Sequence, residues 1–304
     1  LNPPKNVAAS IRQRLLNRAR ESGRPFNEIL QYFAMERFLF RLSRSPHADR
    51  FVLKGGLMLS AWKISVSRPT KDIDLLGHVH NDVEGIVALM KEVCSRKDDS
   101  DGLEFDPASM AGERIAEEAE YEGVRVRFKG RLGTARISMQ IDVGIGDTVV
   151  PGPVTMDYPT IIDLPAPRLR GYTRDSMIAE KFHTMALRGI LNSRIRDFFD
   201  VWALSRQFDF EGPVLARAIR ETFERRELEI IPRPVALTGE FASDAAKAAQ
   251  WRGFLRKNRL EGVPAELAGV IEAIHGFLGP VAEALSEGKA FEGRWPAPGP
   301  WAPA

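Results

Sequence analysis

Residues 51–64, FVLKGGLMLSAWKI, and residues 72–77, DIDLLG, decide how this chain is read. FVLK is a short apolar run that stops at the pair Gly55-Gly56, which predicts a buried strand ending in a tight turn. LMLSAWKI predicts a helix over 57–64, whose first backbone N–H groups have no partner inside the helix and so attract phosphate. DIDLLG predicts a second strand. Residues two apart in an extended chain share a face, so Asp72 and Asp74 project together while Ile73 turns into the core. A same-face carboxylate pair suits a divalent cation. Beside a phosphate cradle, it describes a site for a metal-bound nucleoside triphosphate.

A third carboxylate lies downstream. In Gln140-Ile141-Asp142-Val143-Gly144 the acid alternates with apolar residues of a predicted strand, where an unpaired charge is costly and something must compensate it. If that strand lies beside DIDLL, Asp142 joins Asp72 and Asp74 around metal ions, or accepts the proton of an attacking hydroxyl. The alternative is a capping role or an ion pair with Arg125, Arg127 or Arg136.

Further out, the chain divides into three. Residues 1–48 are an N-terminal helical segment broken by the turn Gly23-Arg24-Pro25. Residues 49–165 are a small sheet domain holding FVLKGG, DIDLLG, a helix from Val83 to Cys94 and the strands VRVRF and ARISMQIDVGIG. Residues 166–304 are a helical domain. The expected class is α/β (α+β), with a mixed sheet between helical flanks. The proline-rich stretch 149–172 is expected to skirt the sheet as an extended crossover, and the final PAPGPWAPA to be disordered or loosely docked.

With 44% hydrophobic and 28% charged residues, the composition is that of ordinary globular material with a sizeable core. No apolar run is expected to reach the roughly 20 residues that cross a bilayer, and LNPPKNVAAS lacks a secretory leader's apolar stretch, so a cytoplasmic location and no membrane partner are expected. Cys94, the one cysteine, reads as a core residue. The net charge of +2 conceals an uneven distribution: Lys5, Arg12, Arg14, Arg18, Arg20 and Arg24 crowd the start, residues 97–122 are strongly acidic, and Arg168 to Arg206 is basic again. Basic surface near a metal site is what a nucleic-acid substrate needs, although each arginine taken singly reads as solvated helix surface. His78 and His80 form an HxH pair without a third ligand at suitable spacing, and His183 reads as a packing residue.

Two helices of the last third carry charge with a pattern. In the first, over 175–188, Lys181 lies off the apolar face formed by Ile178, Phe182 and Met185, with Arg188 two turns later on the same side. In the second, over 193–206 with Asn192 or Ser193 as cap, Arg196 and Asp200 are spaced i,i+4 and Asp197 and Asp200 i,i+3. Asp200 reads as an orienting partner; on a purely structural reading Arg196 simply holds Asp200 and stiffens the helix.

KGGLMLSAW followed by RPTKDIDL, then Glu180-Lys181-Phe182-His183, then RIRDFFDV at 194–201, resembles the motif set of the AbiEii/AbiGii toxin family in the polymerase β-like nucleotidyltransferase superfamily. The resemblance covers about residues 30 to 230, with the motifs in order. It implies a nucleotidyltransferase core in which Asp72 and Asp74 bind Mg²⁺ or Mn²⁺, and Asp142, read above from its strand, is expected to join them. Lys54, Gly55, Gly56, Arg68, Thr70, Lys181, Arg188 and Arg196 are then expected at the nucleotide, and Lys181 and Asp197 complete the catalytic set. Many superfamily members have serine where Gly56 stands, so any contact there must come from backbone N–H. The resemblance further implies transfer of a nucleoside monophosphate from a nucleoside triphosphate to RNA, at the tRNA 3′ end, by the toxin of a toxin–antitoxin or phage-defence pair with a cognate antitoxin. The alternatives are transfer to a protein or small molecule, and a non-catalytic nucleotide-binding module.

Overall fold

The structure is a computed structural model that describes residues 6–66, 68–96, 98, 100–117 and 121–303, with the side chains of 116, 117, 121 and 122 left aside. Lys5 of the basic start, and Lys97, Asp99, Glu118 and Glu120 of the acidic stretch, lie outside the described residues. The chain forms two compact units: Leu1–Trp62, Thr70–Gly146 and Val154–Gly171 make the first, and Lys63–Pro69, Asp147–Pro153 and Tyr172–Ala304 the second.

The first unit is built on a seven-stranded mixed sheet in the order β3-β4-β5-β2-β1-β7-β6. The strands are β1 Phe51–Lys54, β2 Ile73–Gly77, β3 Leu103–Glu117, β4 Tyr121–Leu132, β5 Ala135–Ile145, β6 Val154–Asp157 and β7 Arg168–Gly171. Its helices are α1 Val7–Ser22, α2 Phe26–Ser43, the short α3 Gly56–Ala61 and α4 Val83–Ser95. The GRP turn separates α1 from α2 as expected, with Gly23 at φ +65° closing α1 in the left-handed conformation that glycine adopts without penalty. β1 runs antiparallel to β2, and β2 parallel to β5, with Ile73, Leu75, Ile141 and Val143 on the buried face. Phe38 of α2 packs with Phe105 and Phe128 of the sheet. Cys94 is buried, and burial pushes its thiol up to about 12.

The expectation for residues 149–172 needs correcting. The stretch 149–172 does not merely skirt the sheet: β6 and β7 pair with each other, and β7 lies parallel to β1 at Leu53 and Gly171. Prolines flank these strands, and Pro is tolerated at strand ends and edges. β3 was hidden because its acidic composition mimics a solvated loop; it is a strand because β4 offers it a long antiparallel partner.

The second unit is helical, with α5 Arg174–Arg188, α6 Ile195–Gln207, α7 Gly212–Arg225, α8 Gly239–Ser243, α9 Ala245–Asn258 and α10 Leu267–Ser286, plus a two-stranded ribbon of β8 Phe210–Glu211 and β9 Arg294–Trp295. α10 corrects the reading of apolar runs, since its length and composition suffice to cross a bilayer. Half of its most apolar window is nevertheless buried, against α6, α7, α8 and α9. The C-terminal tail is docked rather than loose. Trp295 Nε1 donates to the Ser205 carbonyl at 2.7 Å, Trp301 Nε1 to the Phe277 carbonyl at 2.7 Å, and the Trp301 ring stacks on Phe277 at 5.7 Å. Three indole and phenyl rings bury enough apolar area to hold a proline-rich segment that has no ladder of its own.

Glu36 of α2 is fully buried beside Arg37. Its Oε2 accepts the Ile161 N–H at 2.6 Å, while its Oε1 lies 2.6 Å from the Arg37 guanidinium without good hydrogen-bond geometry. Burial outweighs Arg37 and lifts the carboxyl to about 7. The folded state therefore holds a proton that the unfolded chain, with a carboxyl near 4.5, has already released. Stability should fall as pH rises from about 4.5 to about 7, by about 3 kcal/mol from this group, and level off above. Urea titrations of wild type and Glu36→Gln across that range should show the slope in wild type only; parallel curves would refute the assignment.

Candidate active site

The turn after β1 is shaped around a carboxylate. Gly55 has φ +68°, and a Cβ built on it would overlap the Asp74 side chain, so both conformation and space exclude any larger residue. A Cβ at Gly56 would come within 2.9 Å of Thr70, so this second glycine is required by a close approach as well. α3 begins at Gly56 and is only six residues long, shorter than the expected helix over 57–64, so its contribution to anion binding rests on a single turn of N–H groups.

The sheet register delivers the acids. Lys54 opposes Asp74 across the antiparallel β1–β2 pair, and Asp74 opposes Asp142 across the parallel β2–β5 pair. Side chains at one register position share a face, which meets the condition set for Asp142. Asp72 sits two residues before Asp74, just outside β2. One oxygen from each of Asp72, Asp74 and Asp142 lies within 4.8 Å of the others, and all three residues are half-buried. Among the described residues this is the one such grouping of three, and the exposed His78 and His80 are not part of it.

Two supports hold the carboxylates. Thr70 Oγ1 donates to Asp72 Oδ1 at 2.6 Å, and the Thr70 N–H donates to the Tyr32 hydroxyl at 2.9 Å, which ties the DxD stretch to α2. Arg125, on β4, is the register neighbour of Asp142 and grips it with Nε at 2.8 Å and Nη2 at 2.7 Å. Asp142 therefore has both partners that the sequence left open, the acidic cluster and the arginine. Tyr32 was not singled out from sequence; a tyrosine on the buried face of an amphipathic helix needs a partner for its hydroxyl, and that was its signal.

The helical unit assembles the other motif residues into a buried ionic network. Lys181 Nζ of α5 lies 2.7 Å from Asp197 Oδ1 and 2.7 Å from Asp200 Oδ2. Arg68, from the segment Lys63–Pro69 of the same unit, places Nε and Nη2 on the two Asp200 oxygens at 2.8 and 2.7 Å. Arg194 Nε reaches Asp197 at 2.9 Å. Burial by itself would raise both carboxyls. Lys181 and Arg194 override it at Asp197, Arg68 and Lys181 at Asp200, and both end below the usual carboxylate range. Arg68 thus holds Asp200 in place of Arg196, which is exposed at the first turn of α6. The i,i+3 spacing of Arg194 to Asp197 was legible but passed over. Asn192 Oδ1 accepts the Arg194 N–H at 2.8 Å, which sets the turn into α6.

The remaining residues fall into place less centrally. Arg188 is half-buried in the last turn of α5. His183 is buried edge-on to Phe223, and burial lowers its imidazole to about 4, so it packs as a neutral ring. The basic stretch from Arg168 to Arg206 is largely partnered: Arg168 meets Asp157, Arg170 donates to the Asp49 carbonyl, and Arg174 lies over the Phe208 ring.

Carboxylate oxygens are hard donors of the kind that Mg²⁺ and Mn²⁺ prefer, and a glycine turn beside them leaves room for phosphate. This donor set fits a divalent cation. A family model described as nucleotidyl transferase AbiEii toxin, type IV TA system, matches residues 37–273. Comparison with curated proteins finds no match. Among solved structures, the "putative nucleotidyltransferase from H. pylori" is similar with a TM-score of 0.46 and 14% identity, covering 86% of this chain and 95% of that one. JHP933 from Helicobacter pylori gives a TM-score of 0.44 and 12% identity, covering 86% of this chain and 92% of that one.

Proposed function

Because the chain belongs to the AbiEii nucleotidyl transferase toxin family, we propose that it moves a nucleoside monophosphate from a nucleoside triphosphate to an acceptor hydroxyl of RNA, at the tRNA 3′ end. It acts as the toxin of a toxin–antitoxin or phage-defence pair, in the cytoplasm, with a cognate antitoxin as partner. The observation that carries the chemistry is the convergence of Asp72, Asp74 and Asp142 beside the Gly55-Gly56 turn.

In this reading the acceptor oxygen bonds to the α-phosphorus, the bond from that phosphorus to the bridging oxygen breaks, and pyrophosphate leaves. Asp72, Asp74 and Asp142 hold Mg²⁺ or Mn²⁺, which when bound neutralises phosphate charge and lowers the cost of forming the attacking oxyanion. Gly55 and Gly56 keep side chains out of the triphosphate's path, with Lys54 and Thr70 at its edge. Thr70 and Tyr32 fix Asp72, and Asp142 accepts the hydroxyl proton. Lys181 is assigned to phosphate, with Arg68 and Arg188 as further nucleotide contacts, and Asp197 and Asp200 orient the lysine.

The test is to incubate the protein with each labelled nucleoside triphosphate and total RNA. Transfer should require a divalent cation, cease with excess EDTA and return with Mg²⁺ or Mn²⁺. Label appearing on protein alone, or on nothing, would overturn the RNA reading or the enzymatic one respectively.

A further inference from the structure

The helical unit contains a cavity of about 490 Å³ between the Arg68-Pro69 segment, the entry to α6 and one face of α9. That volume accommodates a single nucleotide. Its lining includes Arg68, Arg194, Arg196 and Lys257 and contains no aspartate or glutamate. Arg68 and Arg194 are matched with the buried Asp200 and Asp197. Arg196 and Lys257 are exposed; Arg196 adds its charge to those acting on the buried Asp197, and Lys257 has no acidic partner among the described residues. With four cations in the lining against the two carboxylates buried behind it, the wall is positive on balance.

Two more features narrow the occupant. Phe254, half-buried, lines the cavity, and its ring rests on Trp251 at 5.8 Å and Phe199 at 5.5 Å. A braced aromatic ring beside cations is how single-stranded nucleic acid is gripped: base on ring, phosphate on cation. Gly253 stands on the same wall, within α9, and a Cβ there would meet nothing within 4 Å. Packing gives no reason for a glycine in this helix, where it weakens the helix. Its effect is to leave the wall open.

We propose that this cavity binds one nucleotide of the RNA acceptor strand, its base against Phe254 and its phosphate at Arg196 and Lys257. The choice of RNA rests on the function proposed above. The same phosphate chemistry is offered by a free nucleotide, and the experiment separates the two.

Fluorescence anisotropy of a labelled single-stranded RNA oligonucleotide is measured on the full chain without triphosphate or divalent cation. Gly253→Glu and Lys257→Glu should each weaken binding by about 10-fold or more, and Lys257→Gln should reduce the dependence of log Kd on log salt by about one. Gly253→Ala should leave Tm unchanged or raise it, since a Cβ there meets nothing within 4 Å. Lys257→Glu, at an exposed position, keeps the test informative should Gly253→Glu fail to fold. Binding within about twofold of wild type in both glutamate variants would overturn the proposal. So would displacement of the RNA by equimolar free nucleotide. Because the readout needs no nucleotide transfer, loss of the catalytic reading and loss of this cavity's role would be told apart.

Discussion

Asp74→Asn is expected to lower nucleotide transfer by about 10³-fold or more while leaving the fold intact. Asparagine keeps the size of the side chain that Gly55 packs against, so the turn after β1 is undisturbed. What is lost is one negative charge from the acidic cluster, at the register position shared with Asp142. Two carboxylates remain, and one of them is already gripped by Arg125. Affinity for the cation should therefore fall along with the rate, and a Mg²⁺ titration of single-turnover transfer should show partial recovery at high concentration. Gly55→Ala attacks the same carboxylate from the other side without altering charge. Its Cβ would overlap Asp74 and its φ of +68° disfavours alanine, so transfer should drop and stability with it. Wild-type rates in Asp74→Asn would remove the acidic cluster from the chemistry.

The largest effect on stability is expected from Asp200→Ala. This carboxylate is fully buried, takes both arms of the Arg68 fork and lies 2.7 Å from Lys181. Removing it takes both carboxylate contacts from the buried Arg68 guanidinium and leaves Lys181 with Asp197, a change that costs about 3–5 kcal/mol. Urea unfolding should show the loss, and Arg68→Met combined with Asp200→Ala should recover part of it, since both ends of one pair are then gone. The sign with pH follows from the depressed carboxyl. Its stabilisation is fully present above the ordinary value of 3.8 and is lost as pH falls below it. The gap between wild type and Asp200→Ala should therefore narrow in acid. A constant gap down to the acid unfolding transition would mean that Asp200 matters through packing alone.

Local signals carried much of this molecule. The GG turn, the alternation of DIDLL and of QIDVG, and the helical periodicities before residue 44 and after residue 174 each rest on neighbours in the chain, and the elements stand where those patterns put them. The pairing of Asp74 with Asp142 could be stated only as a condition, because register between strands distant in sequence is decided by the whole sheet. Asp142 shows why alternatives were worth keeping: it lies in the acidic cluster and on Arg125 at once. Arg68 shows the limit. Nothing around RPTK indicates that its guanidinium would grip a carboxylate 132 positions away, so Asp200 was given the nearer Arg196 by helix spacing. β3 and the tryptophan-anchored tail were missed for a related reason, since acidic and proline-rich composition argues for solvent until a distant partner supplies the burial.

The segment Lys63–Pro69 leaves the sheet unit, supplies Arg68 to the helical unit, and the chain then returns at Thr70 for the DxD strand. A fragment beginning after residue 171 would carry Asp200 without the arginine that neutralises it. During synthesis that arginine emerges long before its carboxylate, so the final ionic closure of the helical half must wait on a residue made early. The helical half is therefore not a cassette that can be cut out at residue 171, and a split version of this protein would need Arg68 delivered in trans.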